Sequence, residues 1–182
     1  MKYYAIQVKT RAEEKYMNLY KALHPESPVV LYFPRRQINI RRRGVITSET
    51  QAIFPGYVFV ELESDDAITN YHWTFRKTDG FYRFLKSNQN ICPLEKADLE
   101  IVLHFIKKIG PIAGASKAYL DENSRIVVTE GPLMGLEGKV IKVDKRKGRA
   151  KIKLDLYNDS FSIDMAIEFI GAAPRPSRQG TG

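Results

Sequence analysis

Apolar and polar positions change period several times along the chain, and each change marks an element. Residues 3–8 (Tyr-Tyr-Ala-Ile-Gln-Val) are aromatic and β-branched and predict a short strand. Apolar positions then recur at Ala12, Tyr16, Leu19, Tyr20 and Leu23, the spacing of one helix face. Thr10 and Glu13 read as a capping box at its start. His24-Pro25 ends this helix, because proline lacks an amide and disfavours helix in the residue before it. Val29 to Phe33 is apolar and extended. Gln37-Ile38-Asn39-Ile40 alternates, Gly44 marks a turn, and Val45-Ile46-Thr47 returns as the second arm of a hairpin. Ile53 to Leu62 is a Pro-Gly turn feeding a strong strand that starts at Gly56 or Tyr57, since Pro-Gly cannot sit inside a ladder.

Further on, Ala67 to Phe75 predicts a short helix, and Leu94 to Ile109 a longer one with Pro93, Glu95 and Asp98 near its start and Lys107 and Lys108 at its end. Residues 110–123 are small and polar and read as a linker. The pattern then shifts to short strands at 126–128, 140–143, 150–154 and 161–163, separated by turn signals at Gly131-Pro132, Lys147-Gly148 and Asn158-Asp159. Strands that dense imply a small barrel closing on itself. The fold class is α+β: an antiparallel sheet flanked by helices over 1–109, the linker, a barrel over 124–171, and a disordered tail over 172–182.

Composition narrows the function. Of 182 residues 43% are apolar and 27% charged, a globular balance with no run long enough to span a bilayer. No secretory signal opens the chain, so the expected location is cytoplasmic, without membrane contact. One cysteine, Cys92, and three scattered histidines exclude a disulfide and argue against a metal centre. No nucleophile elbow, phosphate loop or dinucleotide fingerprint is present, so neither an enzyme nor a cofactor is expected. The formal net charge is +8, and residues 1–60 hold ten basic side chains against four acidic ones. That asymmetry points to a polyanionic partner or to a merely basic surface.

The aromatic N-terminal strand, the segment Phe54-Pro55-Gly56-Tyr57-Val58-Phe59-Val60, and the segment Glu130-Gly131-Pro132-Leu133-Met134-Gly135-Leu136-Glu137-Gly138-Lys139-Val140 together resemble the NusG family of transcription elongation factors over about residues 2–171. The resemblance implies an NGN domain, a linker and a small SH3-like KOW β-barrel. It also implies a monomer that binds RNA polymerase across the cleft and suppresses pausing or termination. Tyr3, Phe54 and Tyr57 fall where relatives meet the clamp helices of the largest subunit; by residue type alone these rings read equally as core. On the contact reading, Phe54→Ala weakens polymerase binding without unfolding the domain. His72, Trp73 and Thr74 fall where relatives meet the gate loop of the other large subunit, although Trp73 reads equally as a packing residue.

Lys9, Arg11 and Lys15 lie around the start of the first helix, and Arg35, Arg36, Arg41, Arg42 and Arg43 follow in the hairpin. Guanidinium forks suit phosphates and guanine edges, and a solvated hairpin tip explains Arg41–Arg43 about as well. RfaH-like relatives read non-template DNA and LoaP-like relatives a nascent RNA hairpin. The basic first 60 residues fit a specialised, LoaP-like antitermination paralog better than a general NusG. In the barrel, Leu133, Leu136, Leu156 and Tyr157 match positions that bind NusE or Rho in relatives, and each also suits a barrel core. Lys142, Lys145, Arg146, Lys147 and Arg149 surround the second hairpin, where a solvated turn accounts for them or they add RNA affinity. A ribosome-associated KOW protein is the alternative of another class.

Overall fold

A computed structural model describes residues 1–64, 67–85 and 87–171. In chain order the elements are β1 (Lys2–Val8), α1 (Glu13–Leu23), β2 (Val30–Tyr32), β3 (Arg35–Arg42), β4 (Val45–Ala52), β5 (Tyr57–Leu62), α2 (Ala67–Lys77), β6 (Phe81–Phe84) and α3 (Lys96–Leu103). A π-helical turn over His104–Ile109 continues α3, followed by β7 (Ile112–Ala113), β8 (Ser116–Leu120), β9 (Ile126–Glu130), β10 (Val140–Asp144), β11 (Arg149–Leu156) and β12 (Asp159–Phe169). They form a four-stranded sheet ordered β2-β5-β1-β6, a three-stranded sheet ordered β4-β3-β7, and a five-stranded half-barrel ordered β10-β11-β12-β8-β9. The class is mixed α+β.

The chain divides into two compact units. One comprises Met1–Arg36, Thr50–Ala113 and Leu154–Phe161; the other comprises Gln37–Glu49, Gly114–Lys153 and the chain from Ser162.

In the first unit, β1 and β5 run antiparallel with Tyr4 opposite Val60 and Ile6 opposite Val58. Alternation sends Tyr4, Ile6, Val8, Val58, Val60 and Leu62 to one face, where Tyr16 and Tyr20 of α1 and Ile68 and Phe75 of α2 cover them. Tyr20 stacks on Phe75 at 4.9 Å, and the Tyr16 hydroxyl donates to the Phe75 carbonyl at 2.9 Å, so a polar atom enters this core with its partner. The opposite face carries Phe59, against which Phe54 packs edge-on at 5.3 Å; Phe54 also meets Phe105 of the π-helical turn at 6.1 Å. Edge-to-face pairs of this kind contribute about 0.5–1.5 kcal/mol beyond the area they bury. Because both faces are covered, all six residues of β5 are buried.

The second unit has its core in Ala118, Val128, Leu133, Leu136, Ala150, Ile152, Ile163, Met165 and Ile167. Gly131 sits at φ +100°, and a Cβ there would lie 2.7 Å from the Ser116 Cα, so only glycine lets the two backbones approach. Beside it the Leu133 amide donates to the Ser116 hydroxyl at 2.9 Å.

Two expectations differ from the structure, and a third falls outside it. The stretch 110–123, expected as a linker, carries β7 and β8, and β8 is an inner strand of the half-barrel. No side-chain cap bond forms at the start of α1; Glu13 turns inward and accepts the Gly56 amide at 2.7 Å. The expected tail over 172–182 lies outside the described residues.

Candidate functional site

Tyr3 on β1 lies opposite Glu61 on β5, and Val30 of β2 faces Glu61 from the other side. This register gathers Tyr3, Tyr32, Glu61 and Lys107 into one cluster at the rim of the sheet. The Lys107 ammonium donates to the Tyr32 hydroxyl at 2.6 Å and to Glu61 Oε2 at 2.7 Å, and the Tyr32 hydroxyl donates to the same carboxylate oxygen. The ammonium also stands 4.8 Å from the centre of the Tyr32 ring and 5.8 Å from that of Tyr3, within cation–π range. Burial opposes the Glu61 charge, but hydrogen bonds from Lys107 and Tyr32 outweigh it and hold the carboxyl below its ordinary pKa. The hydrogen bonds to Glu61 and Tyr32 push Lys107 above its ordinary value. Burial first, then the Glu61 charge, raises Tyr3. Sequence reading names Tyr3 and misses the other three; the legible signal is one carboxylate, Glu61, inside an otherwise apolar strand.

Phe54 and Tyr57 do not join Tyr3 in an open groove. They are 0% and 1% exposed. Phe161 packs edge-on to Phe54 at 5.7 Å and to Tyr57 at 5.9 Å, and the Tyr57 hydroxyl donates to the Asp159 carboxylate. The segment 154–161 belongs to the same compact unit as both rings and closes over them. Burial, then the bond to Asp159, raises the Tyr57 pKa. The expectation that Phe54→Ala spares the fold is therefore corrected: Phe54 is a core ring.

On α2, Trp73 is 55% exposed, with the Arg76 guanidinium 4.7 Å over its ring and His72 tilted beside it at 5.1 Å. It is a surface aromatic rather than a packing residue. Thr74 faces the other way, donating to the Tyr71 carbonyl at 2.6 Å and meeting the Tyr20 hydroxyl at 3.1 Å, so it serves helix packing and not a surface contact.

The basic candidates separate into two kinds. Lys9, Arg11 and Lys15 are exposed, as are Arg41, Arg42 and Arg43 at the end of the β3–β4 hairpin, where Arg42 pairs with Glu49 at 3.4 Å. Arg36 is 7% exposed and spends its guanidinium on the Gln51 side chain at 3.0 Å and the Ala52 carbonyl. It locks β3 to β4 and cannot reach a phosphate. Arg35 is half-buried, paired with Glu14 at 3.2 Å and set over the Phe33 ring.

Of the barrel candidates, Leu133, Leu136 and Leu156 are buried core, and Tyr157 alone is exposed. Sequence reading missed Met134 and Ile141, which are exposed instead. The Gly-Pro turn sets which side of the strand faces in, and residue type does not disclose it.

The chain is a two-unit α+β protein with an aromatic–ion cluster in its first unit and basic side chains at its surface. The chain belongs to the NusG family: the family model described as transcription termination factor nusG matches residues 1–103. It is similar to the transcription termination/antitermination protein NusG of Buchnera aphidicola, 24% identical over 72% of this chain and 71% of the relative. The NusG of Synechocystis is 22% identical over 90% of this chain and 85% of the relative. A solved structure titled "Domain interaction in Thermotoga maritima NusG" covers 91% of this chain and 93% of its own at 15% identity and a TM-score of 0.43. The chain is thus a transcription elongation and termination factor, not an enzyme. Among the described residues no helix is long and apolar enough to cross a membrane.

Proposed function

We propose that this chain rides on RNA polymerase in the cytoplasm, suppresses pausing or termination, and is recruited by a nascent RNA hairpin. The polymerase contact runs through the rim around Tyr3 to the clamp helices, and through Trp73 and His72 to the gate loop. The observation that carries the reading is the rim itself: an aromatic pair, Tyr3 and Tyr32, held by Lys107 and Glu61 beside a fully packed sheet. A contact surface held in one arrangement loses little entropy on binding. Phe54 and Tyr57, covered by Phe161, are core rings outside this contact. Bridging both large subunits favours a closed clamp over an open one and shifts the population away from paused states. A coupling of about 1–3 kcal/mol suffices.

RNA recognition rests on Lys9, Arg11 and Lys15 and on Arg41, Arg42 and Arg43, with Arg35 held back by Glu14 and Arg36 excluded by burial. In the turn between β11 and β12, exposed Tyr157 is the candidate that a protein such as NusE or Rho meets. Transcription with purified polymerase on a paused template tests the proposal. Shortened pauses that depend on Trp73 and on an upstream RNA hairpin support it; unchanged pause lifetimes contradict it. Equal effects on templates with and without the hairpin favour a general NusG role.

A further inference from the structure

We propose that the β10–β11 hairpin of the half-barrel is a second nucleic-acid surface, which holds the phosphodiester backbone of single-stranded RNA without reading its sequence. Residues 139–153 contain eight lysines and arginines and one acid, Asp144. This is the densest positive stretch in the chain, and none of it belongs to the N-terminal surface described above. Ala150 and Ile152 of β11 are buried, which turns Lys151 and Lys153 outward, while Arg149 is largely covered and donates to the Asn39 carbonyl. Alternate residues on a strand stand about 6.6 Å apart, close to the separation of successive phosphates along an extended nucleic-acid chain.

Lys142 lies directly opposite Lys151 across the ladder. Like charges in that position destabilise a sheet. The local carboxylates answer only part of it: Asp164 takes Lys151 at 2.9 Å and Arg149 at 3.6 Å, and Asp144 stands 3.9 Å from Lys147. Lys142, Lys147, Arg149 and Lys151 line a hollow of about 200 Å³ together with those two carboxylates, leaving it net positive. Protection of a sheet edge explains a lysine on β10, the outermost strand, but not the charges on β11, which is paired on both sides. The turn between the strands adds Lys145 and Arg146, both exposed. Lysines are mobile point charges suited to phosphates in any sequence, whereas fixed base readout uses forked guanidinium groups. The choice of RNA over DNA rests on the reading that the chain works beside a growing transcript.

The test uses the full chain and fluorescence anisotropy with a labelled, unstructured uridine-only RNA, titrated between about 50 and 200 mM salt. Reversing Lys145, Arg146 and Lys147 together to glutamate is expected to weaken binding at least tenfold at the lower salt. It should also reduce the magnitude of the log–log salt slope by about 2, the loss of three single-strand phosphate contacts. An adenosine-only RNA should bind the same surface, and Lys145→Arg with Lys147→Arg should bind like the native chain. Unchanged affinity and slope in the charge-reversed chain overturn the proposal. So does equal competition by poly-glutamate, which marks an acidic protein partner, or tighter binding of duplex DNA than of RNA. Arg41→Glu, Arg42→Glu and Arg43→Glu, tested with a hairpin RNA, probe the N-terminal reading separately. Loss in that variant alone, with uridine-only RNA still bound through the barrel, leaves this inference standing.

Discussion

The buried carboxylate of Glu13 accepts the backbone amide of Gly56 at 2.7 Å, joining the first turn of α1 to the Pro-Gly turn that launches β5. Gly56 holds φ +84°, and a Cβ there would stand 3.1 Å from the Thr10 hydroxyl oxygen, so turn and helix start are fitted to each other. Removing the carboxylate leaves a buried amide without its acceptor. Glu13→Ala is expected to cost about 1.5–3 kcal/mol, read from urea unfolding. Glu13→Gln, which keeps an acceptor oxygen, should recover part of it.

Phe54 fills the space between Phe59, Phe105 and Phe161. Its truncation removes a whole ring from a closed core. Phe54→Ala should destabilise the chain by about 3–5 kcal/mol in denaturant unfolding. A loss below about 1 kcal/mol would mean that the ring is not packed as described.

Trp73→Ala bears on an exposed ring and should leave stability within about 0.5 kcal/mol while lowering polymerase affinity. Thermal unfolding and polymerase retention measured on the same sample separate the two effects. A large fall in melting temperature would return Trp73 to the core.

The rim cluster gives stability a pH signature. Glu61 has a folded-state pKa below its ordinary value of 4.5, so its contribution is fully present above that value and is lost as pH falls through the lower, folded one. Lys107 is shifted above its ordinary 10.5, so its contribution is present below 10.5 and is lost as pH rises through the folded value. Between those limits the pair contributes constantly. In unfolding measured from about pH 7 down to pH 3, Glu61→Gln should flatten the acid limb. An acid limb of native steepness in that variant would mean that the Lys107 and Tyr32 bonds do not stabilise the charge.

The strands and helices were legible because punctuation and period agree. Pro55-Gly56 stops one element and the apolar run from Tyr57 starts another, as β5 shows. The candidate site was less legible, for a reason visible in the same strand. A run buried on both faces carries no alternation, so nothing in it tells a core ring such as Tyr57 from a surface ring. Arg36 and Arg41 are the same residue type in one strand. Arg36 shares the inward face with Ile38, and the Gln51 side chain and Ala52 carbonyl, distant in sequence, supply the partners that let a guanidinium sit there. Residues 110–123 resemble a linker because they are small, and they are small where the backbone at Gly131 comes against Ser116. Close packing and flexibility ask for the same residues, and sequence alone cannot part them.

Polymerase binding through the rim around Tyr3 is the contact on which the proposed function turns. Its most direct test is the equilibrium affinity of purified RNA polymerase for the full chain and for Tyr3→Ala. The prediction is a loss of about thirtyfold, the mark of a binding hot spot near 2 kcal/mol, with the unfolding curve of the variant close to native. Equal affinity of the two chains, or no measurable binding by either, would contradict it.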